Sequence, residues 1–529
     1  MQLTESYWPA DETVPLRNLT VGEVLREAAK DSPDDLALVA GVPGDERRWT
    51  FADLLADAER VAAALVGRFS PGERVAVWAP NLPEWVLLEL GAGLAGVVLV
   101  TVNPAYQRHE LAYVLAQSGA SGIFLATEWR GNPMRASLDA VRDELPQLRD
   151  VVMFEEWAEF LASTGSVPLP NVGPDDPAQI QYTSGTTGFP KGALLRHGGL
   201  TDNAALFAAV AEIGRGDVYV NPMPMFHTAG CVLGALGTLQ ARAVHVPVLA
   251  FDPAFVLELI ERERGTALLG VPTMQIALLE HPDIATRDLS SLRSSVSGGS
   301  LVPAELVRRI EATLGVQFCI VYGTTECSPL ITMTRFADTP EDKAATIGRA
   351  IPQTEVKIID PETGDVVAPG TVGELCARGY MVMPGYFENP DATAEAIDSE
   401  GWYHTGDLAS MDERGYCRIE GRLKDMIIRG GENIYPREIE DVLFTHPAVA
   451  DAAVVGIPDD KWGEQVAAFV RLAGDSSASS DELTTHVREQ LASFKVPRQW
   501  VFVDEFPLTG SGKIQKFVLR DRFLNGELS

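Results

Sequence analysis

The run YTSGTTGFPKG, Tyr182 to Gly192, gathers hydroxyls, glycines and one lysine into eleven residues. Small residues expose backbone N–H groups, and with hydroxyls and a fixed cation they are the groups that cradle phosphate oxygens. The run is not a Walker loop. That pattern, G-x-x-x-x-G-K-[ST], needs a second glycine where Pro190 stands, and Gly192 rather than Ser or Thr follows Lys191. Pro190 also removes an N–H and disfavours a helix start just before it. Two readings remain for these residues alone: a phosphate loop fed by the strand AQIQYTSG, or a Gly/Thr-rich surface turn.

Other stretches offer complementary chemistry. In VYGTTECSP (321–329), Gly323, Thr324 and Thr325 precede Glu326. Hydroxyls suit phosphate there and the carboxylate suits Mg²⁺, with Tyr322 able to stack on a base, although an acidic residue after a turn is commonest as a solvated cap. In WYHTGDLA (402–409), Asp407 at a strand end suits the two hydroxyls of a ribose, or equally its own backbone in a turn. In EGRLKDMIIRGGENIYPREIE (420–440), Arg422 and Lys424 precede the Gly430-Gly431 turn. In PLTGSGKIQK (507–516), Gly510, Ser511 and Gly512 lead a mobile backbone into Lys513; most exposed lysines do nothing specific. His227, in PMFHTAG, reads by itself as a packed, hydrogen-bonded histidine.

The elements that must position these residues follow from periodicity. FADLLADAERVAAALVGRF (51–69) has helical spacing, RVAVWAP (74–80) is a short buried strand, and a helix from Asn81, VVLVTVNP, a helix near Glu110 to Ser118 and GIFLAT continue the alternation. WVLLELGAGLAGVVLVTV (85–102) tempts a membrane reading, but Glu89 and the β-branched end make it a buried helix turning into a buried strand. The order recurs in VYVNPMPMF, ARAVHVPV, TALLGVP and VQFCIVYG, which implies parallel sheet covered by helices. After 350, DPETGDVVAPGTVGEL and MDERGYCRIEGR are hairpin-rich. The expected fold is α/β: a large N-terminal unit of βαβ-type layers with a β-rich subdomain (1–423), then a small mobile α+β unit (424–529). Gly474 to Ser480 is expected as a loop inside that last unit.

At 529 residues, 46% of them apolar, the chain is too long for one core and too apolar for disorder. Its 43 Lys and Arg against 74 Asp and Glu leave −31, which argues against nucleic acid and anionic membranes as main partners. Five cysteines without a C-x-x-C pair fit a reducing cytoplasm. The acidic MQLTESYWPADETVP has no apolar core and so no signal peptide is expected.

In this order and at these separations, the five motifs resemble those of the adenylate-forming superfamily: acyl-CoA ligases, luciferases and peptide-synthetase adenylation domains. The resemblance covers about residues 20 to 520, and medium- or long-chain fatty-acid–CoA ligases are the members it most suggests. It implies ATP, Mg²⁺ and CoA, and an acid activated as acyl-AMP before transfer to a thiol. By it, Thr183, Ser184, Gly185, Thr186, Thr187, Gly188 and Lys191 wrap the β- and γ-phosphates in a mobile flap. Glu326, assisted by Thr183, holds Mg²⁺, and Thr325 touches the α-phosphate. Gly298, Gly299 and Ser300 line adenine and acyl group, with Tyr322 and the adjoining Gly323 and Thr324 beside the nucleotide. Asp407 and Arg422 hold the ribose, and Lys513 serves adenylation. Lys424 is the hinge, and Gly430 and Gly431 line the CoA path. His227, Ala229, Gly230 and Cys231 form the acyl pocket. Peptide-synthetase domains carry an Asp at the position of His227 to bind an ammonium group, so the resemblance points to an apolar acid. An aryl acid, or a carrier protein loaded in place of CoA, is the alternative. Monomer and homodimer both stay open.

Overall fold

The computed structural model describes residues 2–42, 44–162, 168–183, 190–299, 302, 304–430, 432–459, 461–474, 476–509 and 513–528. The β-α-β order of the first half closes into two large sheets. One runs Gly385–Tyr386, Lys191–Arg196, Pro177–Thr183, Val98–Val102, Arg74–Trp78, Gly122–Leu125, Asp150–Met153. From Pro177–Thr183 onward the strands are parallel, because helices connect them. At the other end Lys191–Arg196 and Gly385–Tyr386 pair antiparallel. In the second sheet Val244–Pro247, Val218–Asn221, Ala267–Leu269, Ser294–Gly298 and Gln317–Gly323 are parallel neighbours. Leu330–Met333 then pairs antiparallel with Gln317–Gly323.

The run that resembled a membrane span is the helix Pro83–Ala95 followed by the strand Val98–Val102, and all of it from Trp85 to Ala95 is buried in protein. Pro83 starts the helix, where its missing N–H has no intrahelical partner to lose, and left-handed Gly96 ends it. The helix Phe51–Val66 packs on it. Thr50 caps that helix through a reciprocal pair of hydrogen bonds with Asp53. Gln179 donates to the buried Glu89 carboxyl at 2.8 Å, and desolvation pushes that carboxyl well above the usual range. Among the described residues, no helix is long and apolar enough to cross a membrane.

The hairpin-rich stretch after 350 forms an antiparallel sheet ordered Tyr7–Trp8, Thr354–Ile359, Gly373–Gly379, Tyr403–Met411, Cys417–Arg422. Beyond it, Glu432–Ile434, Ile427–Arg429, Gly463–Leu472 and Val449–Asp459 make a further sheet, with Gln499–Phe502 beside Gly463–Leu472. The helices Pro436–Phe444 and Ser480–Gln490 contribute Leu443 and Leu483 to its own apolar core around Ile427, Val454 and Val466. The segment from Gly474 to Ser479 lies between that sheet's strand and the helix Ser480–Gln490.

Candidate active site

Thr183 and Lys191 face each other in register across an antiparallel pair. The glycine-threonine run therefore joins two strands, not a strand to a helix, and Pro190 sits just before a strand where its missing N–H is tolerated. Ser184, Gly185, Thr186, Thr187 and Gly188 lie outside the described residues, as do Ser300 and Gly431. The Lys191 ammonium stands 5.1 Å from the centre of the Tyr386 ring. The Tyr386 hydroxyl in turn donates to Glu326 Oε1 at 2.7 Å. Because Tyr386 pairs with Ala193 on the neighbouring strand, the strand Lys191–Arg196 and Glu326 are linked through the Tyr386 ring.

Glu326 sits in the short turn Thr325–Cys327, reached as the strand Gln317–Gly323 ends. The Met383 N–H donates to its carbonyl at 2.8 Å, and the side chain is buried. The Thr324 hydroxyl beside it is buried without a hydrogen-bond partner among the described residues. A carboxylate with threonine hydroxyls around it is an all-oxygen donor set, which fits Mg²⁺ and not a soft metal.

The ends of the parallel strands Ser294–Gly298 and Gln317–Gly323 lie side by side, with Gly298 in register with Val321. Such carboxyl ends are where open α/β sheets bind ligands. Tyr322 projects to the antiparallel sheet, donating its hydroxyl to Asp407 Oδ2 at 2.7 Å. Arg422 Nε donates to Asp407 Oδ1 at 3.1 Å, the two residues being register partners across their hairpin. Tyr322, Asp407 and Arg422 thus form one bonded group from three strands.

Lys513 comes to this group from far down the chain. Its Cε is 3.5 Å from where a Cβ would stand on Gly299, whose φ of +78 is the left-handed conformation glycine tolerates. Burial, with the Arg422 charge adding to it, pulls the Lys513 ammonium below the usual lysine range, while Asp407 and Glu326 oppose the shift. Burial, reinforced by the Lys513 charge, pulls His227 down to about 3. The His227 ring is therefore neutral, and its Nδ1 accepts the Ala229 N–H at 3.1 Å. His227 leads into a π-helix, Ala229–Leu236, a wide turn often found at functional sites. Cys231 in that helix is buried, and Gln181 Nε2 donates to its sulfur at 3.1 Å. Lys424 is exposed in the turn Leu423–Asp425. Gly430 packs on Trp462, whose carbonyl accepts its N–H at 2.8 Å.

Sequence reasoning missed Tyr386, the π-helix and Glu374. Only Glu374 left a trace, as the one acidic residue in the strand run GELCARG, beside the apolar Leu375 and Cys376.

Comparison with known proteins places the chain in a family. A family model described as AMP-binding enzyme matches residues 25–387, and one described as AMP-binding enzyme C-terminal domain matches 438–513. The Bacillus subtilis (strain 168) protein YngI, named as an acyl-CoA synthetase, is 42% identical over 533 residues, covering 95% of this chain and 97% of that one. The mitochondrial medium-chain acyl-CoA ligase ACSF2 of Rattus norvegicus is 40% identical over 549 residues, covering 96% and 88%. The crystal structure of ATP-bound MatB from Rhodopseudomonas palustris matches with a TM-score of 0.87 at 31% identity, covering 96% and 99%. The chain belongs to the AMP-binding enzymes of the adenylate-forming superfamily. Within that superfamily it is an AMP-forming acyl-CoA synthetase.

Proposed function

We propose that the protein activates a medium- to long-chain fatty acid with ATP, releasing pyrophosphate, and passes the acyl group from AMP to CoA. The observation that carries this reading is the placement of Lys513 over Gly299, in the field of Asp407 and Glu326. A carboxylate attacking the α-phosphate brings anion to anion, and a cation fixed at that point offsets the charge gathering there. In this reading Tyr322 flanks the base, and Asp407 with Arg422 holds the ribose. Thr325 touches the α-phosphate, and Thr183 to Lys191 enclose the two outer phosphates. Glu326, with Thr183, would hold Mg²⁺, which supplies further positive charge to the phosphate oxygens. No covalent enzyme nucleophile is needed.

For the second half-reaction, the unit from Lys424 onward turns about that residue, withdrawing Lys513 and bringing Gly430 and Gly431 to the thiol's path. Such gating separates two chemistries at one site. Ala229, Gly230 and Cys231, with neutral His227, offer an acyl substrate no charge, which supports an apolar chain over an amino acid. The name of the rat relative supports medium length. Each buried CH₂ is worth about 0.8 kcal/mol, so pocket depth reads chain length. The five cysteines, all free and buried, support a reducing compartment such as the cytoplasm.

The test is a panel of acids from acetate to stearate, with benzoate and cinnamate, scored by ATP-dependent AMP release with and without CoA. The reading expects CoA-dependent release that peaks among the aliphatic acids. Release indifferent to CoA for every acid would overturn it.

A further inference from the structure

Asp407 does not sit on a regular strand. Pairing between Gly373–Gly379 and Tyr403–Met411 runs Glu374 opposite Leu408, then resumes with Cys376 opposite His404. Thr405, Gly406 and Asp407 are thus looped out against Leu375 alone, a bulge of the kind that re-aims a side chain beside a site. A bulge frees backbone groups from the ladder, and here side chains take them up. The Gly406 N–H donates to Glu374 Oε1 at 3.0 Å, and Gly406 itself has φ of +69. The Asp407 N–H donates to Thr405 Oγ1 at 3.1 Å, and that hydroxyl donates to the Leu375 carbonyl at 2.7 Å.

Glu374 is itself fixed. His404 Nδ1 lies 3.0 Å from Glu374 Oε2 and 3.6 Å from the Cys376 sulfur, and its Nε2 lies 3.6 Å from Asp398 Oδ2. A protonated imidazole donates to carboxylates on both sides. A buried carboxylate bonded at both oxygens has one orientation, and it dictates where the bulge stands.

We propose that Glu374, locked by His404, is the positioning residue that aims Asp407, so that this pair sets how strictly the enzyme demands both ribose hydroxyls of its nucleotide. The inference rests on the reading of Asp407 as the ribose acceptor. Hydrogen bonding to the Cys376 thiol and the Glu374 carboxylate pushes His404 up to about 10. The charged groups facing the cluster are Glu374, Asp398 and, on the strand Thr354–Ile359, Lys357 near Cys376. A raised histidine keeps its contribution in full below its unfolded value near 6.5 and loses it as pH climbs through about 10.

The experiment measures kcat/KM for adenylate formation with ATP, 2′-deoxy-ATP and 3′-deoxy-ATP, by pyrophosphate release. Asp407→Asn should erase the preference for ATP. Glu374→Gln should shrink it about fivefold or more while leaving the KM for the fatty acid unchanged. His404→Asn should do the same, and His404→Arg, which restores a cation, should recover it. In wild type the preference should weaken as pH climbs through about 10, whereas His404→Arg, whose cation does not titrate there, should keep it. If Asp407→Asn erases the preference but Glu374→Gln and His404→Asn keep the wild-type ratios, the positioning role is overturned and the ribose reading stands. If Asp407→Asn keeps the wild-type ratio, the ribose reading falls and this inference with it.

Discussion

At the scale of single residues, Lys513 is the sharpest case. Its ammonium is set among Gly299, Asp407 and Glu326, so Lys513→Ala should lower acyl-adenylate formation about a hundredfold or more. Thioester formation from supplied acyl-adenylate should stay within a few fold; an equal loss in both half-reactions would refute the assignment. His227 is the converse case. With its imidazole held down to about 3, it stays neutral at working pH, and its burial stabilises the fold above pH 6.5 and ceases to as acid approaches 3. His227→Ala should therefore leave the acid limb of the pH–rate profile in place while shifting acid denaturation to lower pH, which activity and fluorescence titrations would show. Taken singly, Asp407, Glu326 and Lys513 were no more than turn residues in the sequence; the resemblance carried by five motifs together singled them out, and the structure puts Lys513 in the field of the two carboxylates. Tyr386 was not legible. Its role comes from strand pairing with Ala193 and from a hydroxyl aimed at Glu326, contacts between distant parts of the chain that no local spacing encodes.

Elements were readable where hydrophobic period was strong. The helix Phe51–Val66 and the buried pair Pro83–Ala95 and Val98–Val102 follow their patterns closely. The strand Lys191–Arg196 was harder: it is short, carries charge at both ends, and takes its form from pairing with Pro177–Thr183. Its antiparallel pairing means that the run between Thr183 and Pro190 joins two strands; Pro190 argued against a helix start but could not specify a strand. Where the strand Ser294–Gly298 ends, left-handed Gly299 makes the turn that brings the backbone beside Lys513. Gly299→Ala forces a side chain into left-handed backbone at a cost of about 1–2 kcal/mol and places a methyl against the lysine. Adenylation should fall at least tenfold with only a small drop in the thermal midpoint; unchanged adenylation would mean that the lysine works elsewhere.

For the whole molecule, the two half-reactions are, in the proposed reading, joined by a turn of the unit that follows Lys424. Proline fixes φ near −65°, so Lys424→Pro should retain adenylation and lose most transfer to CoA. Pyrophosphate release and thioester formation, measured separately, check it; parallel loss of both would remove Lys424 as the pivot. The division into a parallel-sheet body, a hairpin-rich sheet and a last small unit was legible from texture along the chain. How the sheets meet at Tyr322, Asp407 and Tyr386 was not, since it depends on the packing of whole layers. One trait of the packing bears on the second substrate. All five cysteines are free and buried, so the folded enzyme shows CoA no thiol of its own. Thiol–disulfide exchange requires an accessible thiolate. CoA disulfide, which would release one CoA thiol for each cysteine it capped, therefore finds none to exchange with on the folded protein, and thiol-blocking reagents should label it only as fast as it opens.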